Sequence, residues 1–130
     1  MASIFTRIIN GEIPCYKVAE DEYCFAFLDI HPLTKGHTLV VPKKEVDYLF
    51  DLDTASYQQL AAFTQRVAKA IDLAIPCLRV GVAVIGLEVP HAHIHLIPLQ
   101  SNTINFSDPK LKLEKEELAQ IAEAIRSHFI

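Results

Sequence analysis

Three histidines alternate with apolar residues in His91-Ala92-His93-Ile94-His95-Leu96-Ile97. A period of two belongs to a strand, where successive side chains point to opposite faces. The pattern predicts Ala92, Ile94 and Leu96 on a core face and three imidazoles aligned on the other. Imidazole has the side-chain pKa nearest neutrality, so such a row can bind a metal, move protons or attack an electrophile. Half of the six histidines of the chain lie in this segment, which argues against incidental surface or core placement.

Two kinds of chemistry compete for the row. A strand H-x-H can supply two zinc ligands, as in hydrolases that hold zinc with three histidines. No carboxylate follows within seven residues of His95, however, and the surroundings of the row are apolar. Carboxylates commonly orient ligating imidazoles, so the metal reading lacks its usual support. The alternative is nucleophilic catalysis. One neutral imidazole attacks phosphorus while an acceptor holds the proton on its second nitrogen, and its neighbours donate to phosphate oxygens.

The elements that must position this row follow from periodicity. Tyr16 to Val18, Cys24 to Leu28 and His37 to Pro42 read as strands joined by short turns. Asp53-Thr54-Ala55-Ser56 offers N-caps for a helix from about Thr54 to Ile75, with Leu60, Phe63, Val67 and Ile71 at helical spacing and Pro76 beyond its end. Leu78 to Ile85 and His91 to Leu99 then form a hairpin. Gln100 to Pro109 is polar and irregular, and Leu118, Ile121, Ala122, Ile125 and Phe129 mark a terminal helix within about 113–130. Strands, helix, strands, helix around an antiparallel sheet is an α+β arrangement with two main helices.

The 130 residues suit one domain, with 51% hydrophobic and 22% charged residues. Twelve Lys and Arg against sixteen Asp and Glu give a net charge of -4 without a basic block, so no duplex nucleic acid partner is expected. Only four glycines occur, and neither G-x-G-x-x-G nor a P-loop is present. A nucleotide would therefore be held by side chains or by the backbone around the histidines. Cys15, Cys24 and Cys77 imply neither a disulfide framework nor a zinc knuckle. With no leader pattern and no run of about 18 apolar residues, a cytoplasmic, membrane-free protein is expected.

Four blocks in order resemble the histidine triad family, and most closely its Hint-like branch. They are Ile4 to Pro14, Phe25 to Ile30, Gly36 to Lys44, and the triad His91 to Pro98, so the likeness runs from about Ile4 to Leu99. It implies a single domain over 1–130, with a signature-bearing core at about 4–107, an antiparallel α+β fold and a homodimer. It also implies hydrolysis or nucleotidyl transfer on purine nucleoside phosphoramidates or related nucleotides, with no cofactor and no metal. By the same resemblance His93 attacks the α-phosphorus, His95 contacts the phosphate and leaving group, and His91 and His37 complete the array. Asp29 accepts from ribose hydroxyls, and Ile4, Phe5, Ile8 and Phe27 surround the base. A nucleotide-binding module with little catalysis and a zinc hydrolase stay open as alternatives.

Two departures from that family stand out. Many relatives carry a Gly-Gln-Ser-Val run before the triad whose Gln and Ser contact phosphate and leaving group; here the run is Gly86-Leu87-Glu88-Val89-Pro90. Leu87 cannot hydrogen-bond, and an ionised Glu88 beside a phosphate would repel it unless turned away or used as an acid for the leaving group. Some bacterial relatives have a cysteine pair flanking Phe5 that helps bind a structural zinc, where this chain has Ser3 and Thr6, so no zinc of that type is expected. His31 and His128 are read as solvated, without a role, and Lys43 and Lys44, which could attract an anion, are read as a charged strand end.

Overall fold

Five short strands pair into one antiparallel sheet in a computed structural model that describes residues 2–130. They are β1 (Lys17–Glu20), β2 (Cys24–Leu28), β3 (Thr38–Pro42), β4 (Arg79–Ala83) and β5 (Ile94–Leu99), in the spatial order β1-β2-β3-β5-β4. The helices are α1 (Ile4–Ile9), α2 (Thr54–Ala74) and α3 (Lys115–Arg126). The α+β class with two main helices is as expected from the sequence.

The period of two sorts the strand residues onto two faces. Ala26, Leu28, Val40, Ile94 and Leu96 pack under α2 and α3, which contribute Phe63, Val67, Ile71, Leu118 and Ile125 to one core. Phe25, Phe27, Leu39 and Val41 form a smaller cluster on the opposite face with Phe5 of α1. β3 and β5 pair with Leu39 opposite His95, which sets His95 on that second face beside the small cluster.

Local chemistry explains the helix ends. Asp53 caps α2 by accepting from the Ser56 N–H at 3.2 Å, and α2 stops before Ile75-Pro76 because proline lacks the next donor. Gly36 lies at φ +93°, and a Cβ there would meet Ile75 Cγ1 at 3.0 Å and Pro98 Cγ at 3.1 Å. Only glycine fits the turn that delivers His37 into the site.

Several boundaries differ from the sequence reading. α1 is a helix that periodicity did not reveal, because six residues are too few to display a period. β1 is Lys17–Glu20 rather than Tyr16 to Val18, β3 begins at Thr38, β4 ends at Ala83, and α3 covers Lys115–Arg126. The largest correction concerns the triad: β5 begins only at Ile94, so His91 and His93 lie in irregular chain ahead of it. Past the Val40 to Ile94 pairing the backbone leaves the ladder. The His91 N–H turns back to the Val89 carbonyl at 2.8 Å, and the Ala92 N–H goes to the Val46 carbonyl at 2.7 Å.

Candidate active site

His93, His95 and His37 meet on the second face, and each ring is held by a different backbone environment. His93 Nδ1 stands 2.8 Å from the carbonyl oxygen of His91. A carbonyl only accepts, so Nδ1 carries the proton and the Nε2 lone pair of neutral His93 is free. His37 is fixed in the opposite sense. The Leu33 N–H donates to His37 Nδ1 at 3.1 Å, which leaves the proton of the neutral ring on Nε2. That proton points at His95 Nδ1, 3.0 Å away, so His95 must carry its own proton on Nε2. His93 thus offers a bare Nε2 beside a His95 that offers an Nε2–H, with ring centroids 5.1 Å apart.

The environment keeps His37 and His95 neutral. Burial, reinforced by His95 and Lys110, pushes His37 down to about 3, and burial followed by His93 pushes His95 down to about 4. Burial likewise lowers the pKa of His91. His91 is fully buried and its ring lies apart from the pair. Its Nε2–H donates to the Pro42 carbonyl at 2.7 Å, and its Nδ1 lies 2.7 Å from Ser3 Oγ. The expected alignment of three imidazoles therefore becomes two in the site and one behind it, because the Pro42 carbonyl and Ser3 hydroxyl hold the His91 ring away from the other two.

The site opens into a cavity of about 370 Å³ whose lining includes Phe5, Asp29, Leu39, Val89, His93 and His95. Burial raises the Asp29 pKa; its Oδ1 accepts from the His31 N–H at 2.9 Å and its Oδ2 lies 3.8 Å from His37 Nε2. With His37 neutral this contact is no ion pair. Among the other residues expected around a base, Phe27 and Ile8 support Phe5 from behind within the small cluster. Ile4 is 48% exposed and outside the lining. Glu88, exposed, reaches the cavity rim with Leu87.

Phe106 is a lining residue that the sequence reading missed. Its ring sits 4.8 Å from that of His95 and 6.4 Å from that of His37, sheltering both. The available signal was a lone phenylalanine in the polar stretch from Gln100 to Pro109.

Among the described residues, Asp29, His37 and His95 bring potential metal-ligand atoms within 4.8 Å of one another. With the Leu33 N–H on Nδ1, a cation on His37 Nε2 would require a ring with no proton on either nitrogen. This donor set fits a shared proton better than a cation.

Comparison with known proteins adds three findings. The family model described as the HIT domain matches residues 10–102. Curated relatives include an adenosine 5'-monophosphoramidase of Schizosaccharomyces pombe, 33% identical over 130 residues and covering 98% of each chain. An adenylylsulfatase of Arabidopsis thaliana is 30% identical over 136 residues, covering 97% of this chain and 68% of its own. A solved Hit-like protein from Bartonella henselae, whose description links it to cell-cycle regulation, superposes with a TM-score of 0.85 at 34% identity, covering 97% of this chain and 95% of that one.

Proposed function

The chain belongs to the HIT domain family, and on that premise we propose that it hydrolyses purine nucleoside phosphoramidates, or transfers their nucleotidyl group, through a nucleotidyl-His93 intermediate without a metal. The observation that carries this reading is the opposed tautomers of His93 and His95. The substrate's amine nitrogen takes a proton from solvent. His93 Nε2 attacks the α-phosphorus, and the bond from phosphorus to that nitrogen breaks with its electron pair leaving on the amine. The His95 Nε2–H stays on its ring and donates a hydrogen bond to a phosphate oxygen. Positive charge growing on the His93 ring is stabilised through Nδ1–H by the His91 carbonyl. Water then attacks phosphorus and gives its proton to the released amine. The bond to His93 breaks, and the monophosphate leaves with both rings restored.

In this reading Asp29 accepts from the ribose hydroxyls, and Phe5, supported by Phe27 and Ile8, meets the base. The relatives named for phosphoramidate and adenylylsulfate hydrolysis support the reaction class. Mass spectrometry of quenched enzyme supplied with an adenosine phosphoramidate should find one nucleotidyl group on wild type and none on His93→Ala, with turnover persisting in chelator. Wild-type rates in His93→Ala, or turnover abolished by chelator, would overturn the proposal.

The rim favours one competing reading. Leu87 and Glu88 bring no neutral side-chain donor to a phosphate there, which suits a binding module that turns over little. Calorimetric binding of AMP or GMP without turnover of any phosphoramidate or dinucleoside polyphosphate would select it.

A homodimer formed along β4 belongs to the same proposal. Leu73, Leu78, Val82 and Ile85 are each more than half exposed on or beside this edge strand, a patch of the kind that marks an interface. Sedimentation at micromolar concentration should find a dimer, and a monomer alone would reject it. No described helix is long and apolar enough to cross a membrane, and three free thiols suit a cytoplasmic setting.

A further inference from the structure

The His91 carbonyl that fixes the His93 tautomer is itself held by a hydrogen-bonded chain that ends at Glu45. His91 Nε2–H is committed to the Pro42 carbonyl, so the Nδ1 of the buried neutral ring needs a donor. Ser3 Oγ, 2.7 Å away, supplies it. The same oxygen accepts from the Thr6 N–H at 3.0 Å, so one hydroxyl both caps α1 and ties its start to His91. Glu45 Oε1 then accepts from the Ser3 N–H at 2.7 Å and from the Thr6 hydroxyl at 2.5 Å. Longer contacts of Thr6 Oγ1 to Ser3 Oγ, 3.3 Å, and to His91 Nδ1, 3.4 Å, run beside these, and the shorter bonds assign the protons. Thr6 gives its hydroxyl proton to Glu45, Ser3 gives its own to His91, and His93 gives Nδ1–H to the His91 carbonyl.

We propose that Glu45, Ser3 and Thr6 form a positioning clamp that holds the His91 peptide, and through it the His93 ring, in the orientation that presents Nε2 to substrate. This rests on the reading of His93 as the nucleophile. Three features make the clamp more than a helix cap. It joins Ser3 to Glu45, 42 residues away, and to His91, 88 residues away, whereas a cap is local. It acts where His91 and His93 have no strand ladder to hold them. Phe5, carried by the same α1, also meets the His93 ring edge-on at a centroid distance of 5.0 Å. Moving the start of α1 therefore changes both the hydrogen bond behind the nucleophile and the ring packed against it. Glu45 is a positioning residue, since nothing places it in the cavity.

The test reads the imidazole protons directly. Long-range ¹H–¹⁵N spectra of the free protein should give His93 as a single Nδ1–H tautomer and His91 as Nε2–H. Ser3→Ala should shift or broaden both sets of signals and lower kcat about tenfold with KM little changed, as expected when a reacting group loses orientation. Glu45→Ala should act in the same direction more weakly. Ser3→Thr, which keeps the hydroxyl, and Glu45→Gln, which keeps an acceptor oxygen, should restore both signals and rate. If Ser3→Ala does not fold, Glu45→Ala on its exposed carboxylate carries the test. Unchanged His91 and His93 signals in a folded Ser3→Ala or Glu45→Ala protein would overturn the clamp. The spectra need no substrate, so a wild type that turns over no phosphoramidate would defeat the functional reading while the tautomer result still decided this one.

Discussion

The two faces of the sheet are made by the same strands and differ in almost every physical respect. Under α2 and α3 the face is apolar, and Val40, Val67, Ile71, Leu96 and Ile125 are wholly buried without a polar atom to satisfy. On the other face His37, His91 and His93 are buried as well, and each ring nitrogen turned inward meets a defined partner. One face gains from water exclusion alone. The other uses water exclusion to keep His37 and His95 neutral and hydrogen bonds to decide which nitrogen holds the proton. Stability and reactivity can therefore be perturbed separately, even though residues of the two faces alternate along the same strands.

Changes on the two faces should separate these properties. His93→Ala should lower phosphoramidate turnover about 10⁴-fold, near 5.5 kcal/mol of barrier, with a melting temperature close to wild type. Phe63→Ala on the helix face should do the reverse. Phe63 is almost wholly buried and meets Phe129 edge-on at 5.6 Å, so its loss should cost about 3 to 5 kcal/mol in denaturant unfolding. The kcat of the folded fraction should hold. A large rate loss in Phe63→Ala would show that the faces are not independent.

His37→Leu should sharpen the contrast within the reactive face. Without the Nε2–H donor the tautomer of His95 is no longer imposed, and kcat should fall about 100-fold. His37→Gln, which retains an N–H donor, should recover part of the loss. The same residue governs acid sensitivity. His37 and His95 titrate near 3 and 4 in the folded protein, against about 6.5 when unfolded. Between those values the unfolded chain binds more protons, so their contribution is complete above about pH 6.5 and declines as pH falls toward 3. The melting temperature should drop over that range, and His37→Leu should drop less steeply. An equal slope would remove His37 from the account.

Effects at the cavity rim should be smaller. Phe106→Ala, which admits water to His95 and His37, should reduce kcat about threefold and raise the pKa on the acidic limb of the rate profile. Glu88→Gln should tighten AMP binding about twofold at low salt, with the gain lost at high salt, as befits an exposed charge. No change in low salt would leave Glu88 facing solvent. Slower turnover confined to substrates with poor leaving groups would instead make it their proton donor.

Much of the framework was legible in the sequence. The aromatic, apolar run Cys24–Leu28 between turn formers and the helical spacing of Leu60, Phe63, Val67 and Ile71 are local patterns, and they located β2 and α2 closely. The triad named the residues worth attention for the same reason, since residue type and spacing are local. The role of the His91 ring was beyond such reading, because alternation continues in print after the backbone has left the strand. Phe106 and Glu45 were likewise hidden: a lone aromatic and a single carboxylate after two lysines acquire meaning only from what folds against them.

The sequence by itself determined which side chains alternate, which segments coil and where the histidines cluster, all of it set by contacts between near neighbours along the chain. Only the tertiary structure decided which nitrogen of each histidine carries a proton. That choice belongs to the Pro42 carbonyl and the Ser3 hydroxyl, brought from elsewhere in the chain, and to the Leu33 amide, which the turn through Gly36 folds back onto His37. Even the His91 carbonyl, a near neighbour of His93, accepts its proton only because folding turns it there. A proton on a ring nitrogen is fixed by the one donor or acceptor facing it, and which group faces it is a property of the fold.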